Sequence, residues 1–148
     1  MKTSPAPHPD ILLINGNRDG LLVRRLLLEE LGCRVAVAQT GEEGLKMFEA
    51  SAFDVVVADY RMPRMNGIEL VERIRKVNPQ ARVILLSGHV EALALTTEST
   101  GADIVLAKSA NEATQLARSI KRLLNRPPAR KPPASQKSSV ARARAAAR

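Results

Sequence analysis

Two kinds of run alternate along the chain between residues 10 and 125. The first kind is short, apolar and often β-branched: Ile11-Leu12-Leu13-Ile14, Arg34-Val35-Ala36-Val37, Asp54-Val55-Val56-Val57-Ala58, Arg82-Val83-Ile84-Leu85-Leu86 and Ile104-Val105-Leu106. Nearly unbroken hydrophobicity of this length predicts strands covered on both faces, as in a parallel sheet. The second kind is longer and carries helical spacing. Val23, Leu26, Leu27 and Leu31 form one stripe, Leu70, Val71, Ile74 and Val77 a second, and Ala113, Leu116, Ala117, Ile120 and Leu124 a third. Weaker helical patterns lie at about 41–51 and 90–100. Gly32 and Gly101 stand where helix C-caps are wanted, Pro79 follows the third helix, and Asp19 reads as the N-cap of the first.

Five strand–helix pairs with short connections and right-handed crossovers make a doubly wound α/β domain. Leu13, Val56 and Ile84 are expected at the centre of its sheet. Ligands of such sheets bind beyond the carboxyl ends of the strands. The candidate chemistry therefore sits just after each strand, at Asn15, Gly16, Asp59, Ser87 and Lys108.

Composition narrows the class. At 148 residues the chain is one domain's worth of sequence, and 45% hydrophobic residues exclude a wholly disordered polypeptide. A single cysteine, Cys33, excludes an internal disulfide framework and a multi-cysteine zinc site, and reads as an inert packing residue. No apolar run approaches the roughly 18 residues of a membrane span, so no membrane insertion is expected. The leader, residues 1–9, has three prolines and no apolar signal region, which points to a cytoplasmic protein.

The net charge of +8 is unevenly placed. Residues 126–148 carry seven basic residues and no acid, leaving 16 basic against 15 acidic residues, a net of +1, over positions 1–125. That tail is also rich in Pro, Ala and Ser, and it is expected to be disordered. It could attach electrostatically to an anionic partner, but it has no aromatic residue for base stacking, so sequence-specific nucleic-acid recognition is not expected.

The residues at the strand ends carry a resemblance. Asp54-Val55-Val56-Val57-Ala58-Asp59-Tyr60-Arg61-Met62-Pro63-Arg64-Met65-Asn66-Gly67 resembles the third strand and following loop of response-regulator receiver domains. Ser87, Gly101-Ala102-Asp103 and Lys108 follow in the same order as in that family. The resemblance covers roughly residues 10–125 and implies the flavodoxin-like receiver fold, a five-stranded sheet of order 2-1-3-4-5. It implies further that Asp59 is the phosphoacceptor and that Ser87 and Lys108 bind the phosphate and take part in switching. The backbone carbonyl of Arg61 would be a metal ligand. The chemistry is coherent: a carboxylate attacks phosphorus while cations and donors hold the developing charge on its oxygens.

Four positions depart from that family. The acidic pair that holds Mg²⁺ is replaced by Asn15 and Gly16, which leaves Asp59 as the carboxylate of the pocket and makes Mg²⁺ binding weak. The aromatic switch position of the fifth strand is Val105, and Ser109 stands where a proline usually follows the lysine. The stretch between Ser87 and Gly101 is about one residue short.

The sequence thus points to an atypical stand-alone receiver, not an enzyme, in phosphorelay signal transduction. Its partners would be a sensor histidine kinase or phosphotransfer protein and a downstream protein. The alternatives are a phosphorylation-independent adaptor with the same fold, and a nucleic-acid-associated protein using the basic tail.

Overall fold

The computed structural model describes residues 8–88, 95–109 and 111–125; His89, most of the proposed leader and the whole basic tail lie outside the described residues. Along the described residues strand and helix alternate: β1 (Asp10–Ile14), α1 (Arg18–Glu30), β2 (Arg34–Ala38), α2 (Gly41–Ala50), β3 (Val55–Asp59), α3 (Gly67–Val77), β4 (Val83–Ser87), α4 (Thr97–Thr100), β5 (Ile104–Ala107) and α5 (Glu112–Leu124). The strands pair in parallel, in the order β2-β1-β3-β4-β5. The order places β1 and β3 at the centre, and the crevice lies beyond their carboxyl ends.

Alternate residues of each central strand enter opposite layers. Leu12, Ile14, Val56, Val83 and Leu85 pack with Phe48 of α2 and with Leu70, Val71 and Ile74 of α3. Ile11, Leu13, Val57, Ile84 and Leu86 pack with Leu21 and Leu28 of α1 and with Leu116, Ile120 and Leu123 of α5. Both faces of the sheet are covered, which is why its strands read as continuous apolar runs. Among the described residues no helix is long and apolar enough to cross a membrane.

Two local expectations are corrected. The N-cap of α1 is Asn17, whose side chain accepts a hydrogen bond from the Gly20 N–H at 3.0 Å, whereas Asp19 lies inside the first turn. Asn fills the site because its short carbonyl reaches the N–H three residues on, and an acid in the first turn still faces the positive end of the helix dipole. The stripe Val23–Leu26–Leu27–Leu31, of which Leu27 alone is half-buried, is not the buried face of α1. Leu21 and Leu28, seven residues apart, pack on the sheet, and Leu22, Val23, Leu26 and Leu31 are 53–66% exposed. Arg24 fixes that rotation through a two-point ion pair with Glu112 of α5, at 2.5 and 3.1 Å.

Elsewhere the punctuation works as its chemistry demands. Gly101 caps α4 in the left-handed region (φ 82°), and Gly32 follows the Leu31 cap of α1 at φ 94°. Of the helix expected at about 90–100, the described residues show Thr97–Thr100.

Candidate functional site

The crevice is assembled from strand ends held in register. Asp59 pairs with Leu86 across β3 and β4, and Ser87 pairs with Ala107 across β4 and β5. Backbone bonds continue past the strands: Tyr60 N–H to Leu86 O at 2.8 Å, Lys108 N–H to Ser87 O at 3.0 Å, and Asn15 N–H to Ala38 O at 3.1 Å. Asp59, Ser87 and Lys108 are therefore set by the sheet rather than by mobile loops.

The loop after Asp59 is tightly fastened. Gly67 N–H donates to Tyr60 O at 2.8 Å, so the loop closes on itself before α3 begins. A Cβ at position 67 would lie 2.9 Å from Tyr60 Cα and would collide with the Leu85 side chain, so only glycine lets α3 start this close to β3. Asn66 caps α3 by accepting from the Glu69 N–H at 3.0 Å. Arg64 takes a left-handed conformation (φ 69°), and its guanidinium lies 3.5 Å from Glu42 of α2. Tyr60, Arg61, Met62, Pro63 and Asn66 line an open depression beside Asp59, with the Arg61 side chain exposed.

The dominant electrostatic feature is a charge pair. Lys108 Nζ stands 2.5 Å from Asp59 Oδ1, and the carboxylate side chain is 6% exposed against 32% for the lysine. Among the described residues that oxygen has no hydrogen-bond partner, and the contact is one of charge against charge. The asymmetry in burial has a consequence for stability. Lys108→Ala strands a carboxylate in the crevice and is expected to cost about 1–3 kcal/mol, whereas Asp59→Asn leaves a lysine that can swing into water and should cost under about 1 kcal/mol. Urea unfolding of the two variants checks the order; equal costs would mean that Asp59 is hydrated despite its burial.

Asn15 and Gly16 do not supply what the acidic pair would. Asn15 is 1% exposed, and its side-chain oxygen already accepts the Asn17 N–H at 2.8 Å, immediately before α1. Gly16 has no donor atom, and a Cβ there would meet Pro63 Cδ at 3.2 Å. Mg²⁺ requires near-octahedral oxygen ligands, usually with one or more carboxylates. Here the single carboxylate is already matched by Lys108, and among the described residues no cluster of three or more His, Cys, Asp or Glu is placed to hold a metal ion. The residues present do not fit a strong Mg²⁺ site.

The other candidates fall away from the crevice or take quiet places in it. Val105 is half-buried on the edge strand and packs against the α2–α3 layer. Ser87 is 2% exposed at the mouth of the crevice. His8 is exposed, with its ring within 3.1 Å of Gly32 O. Burial, with a smaller contribution from Asp54, pushes the Cys33 thiol up, so it stays protonated and unreactive. Sequence reading missed Asn17, which takes up the Asn15 oxygen through its N–H. Its signal was the Asn three residues before Gly20, the spacing of an N-cap and the N–H it satisfies.

Comparison with known proteins agrees with this fold. The model of the response regulator receiver domain family matches residues 11–121. A response regulator receiver protein of Anaeromyxobacter sp. is 36% identical over 79 residues, which are 53% of this chain and 33% of that protein. The virulence sensor protein BvgS of Bordetella bronchiseptica is 42% identical over 65 residues, 44% of this chain and 5% of that sensor. The chain thus spans a third or less of the length of these relatives. The response regulator protein TrrA of Thermotoga maritima, solved in complex with Mg²⁺-BeF, superposes with a TM-score of 0.70 at 31% identity, covering 78% of this chain and 98% of that one.

Proposed function

The chain belongs to the response regulator receiver domain family, and on that premise we propose that it is an atypical receiver of two-component signalling, with Asp59 as its phosphoryl acceptor. What carries this reading is the placement of Asp59, Ser87 and Lys108 on three adjacent strand ends, with Lys108 Nζ 2.5 Å from the acceptor carboxylate. In the transfer a carboxylate oxygen of Asp59 forms a P–O bond as the P–N bond of a phosphohistidine breaks, and the imidazole nitrogen keeps the electron pair. Lys108 offsets charge on the phosphoryl oxygens, and the Ser87 hydroxyl is drawn toward the new phosphate. The partners are a histidine kinase or phosphotransfer protein, in keeping with the sensor relative, and a downstream protein. The protein accepts and presents a phosphoryl group and is not itself an enzyme acting on a small substrate.

This chain binds Mg²⁺ weakly, because the positions of the acidic pair hold Asn15 and Gly16. Acceptance at Asp59 is correspondingly slow and depends little on the metal. The output route is also changed. With Val105 at the aromatic switch position, the surface change starts at Ser87 instead of β5.

One experiment tests the whole reading: incubation of the full chain with acetyl phosphate, with and without Mg²⁺, followed by intact mass and hydrogen exchange. A single phosphoryl adduct is expected on the wild type and absent from Asp59→Asn. It should form at a rate that millimolar Mg²⁺ barely changes, with exchange altered at 87–95 more than at 103–108. A rate that rises steeply and saturates at sub-millimolar Mg²⁺ overturns the weak-metal reading. No adduct under any condition overturns the acceptor and leaves the second reading, a phosphorylation-independent adaptor. The observation favouring that reading is the replacement of the acidic pair by Asn15 and Gly16, which removes the anionic metal ligands that transfer would use.

A further inference from the structure

Of the five large aliphatic side chains exposed among the described residues, four belong to α1 and its cap: Leu22 (56%), Val23 (66%), Leu26 (56%) and Leu31 (53%). With 100° per residue, Leu22 and Leu26 stack one turn apart at the centre of the outward face, and Val23 flanks them. Leu31, on another side of the helix, lines a separate hollow with Pro9, Cys33 and Leu124. Single exposed aliphatics need no explanation, but a contiguous patch on one helix marks a contact surface.

Two of the three acids of α1 lie against the helix's own dipole, with only Asp19 at the positive end. Arg18 opens α1, while its last turn carries Glu29 and Glu30 and no basic residue. A cation at the positive end and two anions at the negative end each disfavour the isolated helix by a few tenths of a kcal/mol. Arg25 and Glu29 pair within the helix at 3.0 Å, but Arg18 and Glu30 make no ion pair among the described residues. Both features are resolved by the same arrangement. A second α1 laid antiparallel on the first, about a two-fold axis at position 24, sets Leu22 on Leu26 and Leu26 on Leu22 of the other copy. It also brings each Arg18 opposite the other copy's Glu30, with Asp19 opposite Glu29, and opposes the two helix dipoles.

We propose that the outward face of α1 is an isologous interface between two copies of this chain, packed antiparallel through Leu22, Val23 and Leu26. A two-fold pair uses the same patch twice, so self-complementarity along one helix is what it requires. Three aliphatic side chains on one helix make a small contact beside the roughly 800 Å² per partner of a standard interface, so the dimer is a weak one, with a dissociation constant in the micromolar range. Asp19, beside Arg18, opposes the attraction and keeps it weak. The interface lies on the α1–α5 side of the sheet and leaves the depression lined by Tyr60 and Arg61 uncovered.

Sedimentation velocity of the full chain from about 5 to 500 μM, at physiological salt, tests this. Wild type is expected to pass from monomer to twice the monomer mass across that range. Leu26→Asp should stay monomeric with an unchanged circular dichroism spectrum, since the side chain is exposed. Arg18→Glu should weaken the dimer by about tenfold, and combining it with Glu29→Arg and Glu30→Arg should restore it to within about threefold. The charge exchange keeps the test decisive even if Leu26→Asp misfolds. A wild type that remains monomeric throughout overturns the proposal, whether or not the same patch then binds a helix of a foreign protein. So does a dimer that survives Leu26→Asp, or a charge exchange that fails to restore pairing.

Discussion

Replacing Asp103 with alanine is expected to destabilise the protein by about 3–5 kcal/mol, the largest effect of any single polar substitution here. Arg75 of α3 has a fully buried side chain, and its Nη2 lies 3.0 Å from Asp103 Oδ2. The guanidinium also donates to Gly101 O at 3.1 and 2.9 Å, to Pro79 O at 3.2 Å and to Ala81 O. Asp103 Oδ2 further accepts the Val83 N–H at 2.8 Å. These bonds clamp the end of α3, the start of β4 and the turn before β5 into one block. Arginine cannot shed its proton to escape burial, so without Asp103 the interior keeps a full positive charge that no anion balances. Asp103→Asn retains an acceptor for Val83 but not the charge, and should fall between alanine and wild type. Urea unfolding at pH 7 measures both, with the slope of the transition unchanged. A loss below about 1 kcal/mol for Asp103→Ala would show that water reaches the guanidinium.

The second large effect lies in the sheet. Ile84→Ala is expected to cost about 2–4 kcal/mol, with Leu13→Ala in the same range. Ile84 is 0% and Leu13 1% exposed, and both sit in the layer that β1, β3 and β4 share with α1 and α5. Truncation removes apolar contacts and leaves a cavity bounded on one side by a hydrogen-bonded sheet, which relaxes little. Val56, 1% exposed in the opposite layer, loses fewer atoms and should cost less. Thermal or urea unfolding checks the series; costs under about 0.5 kcal/mol at both Ile84 and Leu13 would contradict their central place.

Much of this fold is legible in the chain because its signals are local. Each apolar run became a strand, displaced by no more than about a residue: β3 begins at Val55 rather than Asp54, and β4 at Val83 rather than Arg82. Charged residues at the two ends had been drawn into the runs by hydrophobicity on one side only. The chemistry-bearing residues Asp59, Ser87 and Lys108 were also legible, since a parallel sheet delivers whatever follows each strand to the same edge.

The face of α1 was not legible in the same way. From Leu21 to Leu31 the helix is apolar nearly all round, so its periodicity admits two stripes, and the sequence favours Val23–Leu26–Leu27–Leu31 over Leu21–Leu28. Only the distant Glu112, which holds Arg24, and the shape of the layer above β1 and β3 select between them. Arg75 was hidden for a related reason. In Arg73-Ile74-Arg75-Lys76 it looks like one of three solvated cations, yet its partners come from residues 79, 81, 101 and 103.

The sequence by itself determined the order of strands and helices, the layer architecture and the identity of the groups at the crevice. Hydrophobic period, caps and turn residues act over a few residues and are written where they act. The tertiary structure alone decided which side of α1 meets water, that Arg75 is buried, and that Asp59 lies against the Lys108 ammonium. Each of those is a choice among sterically similar local states, and it is settled by partners tens of residues away whose position exists only once the sheet has formed.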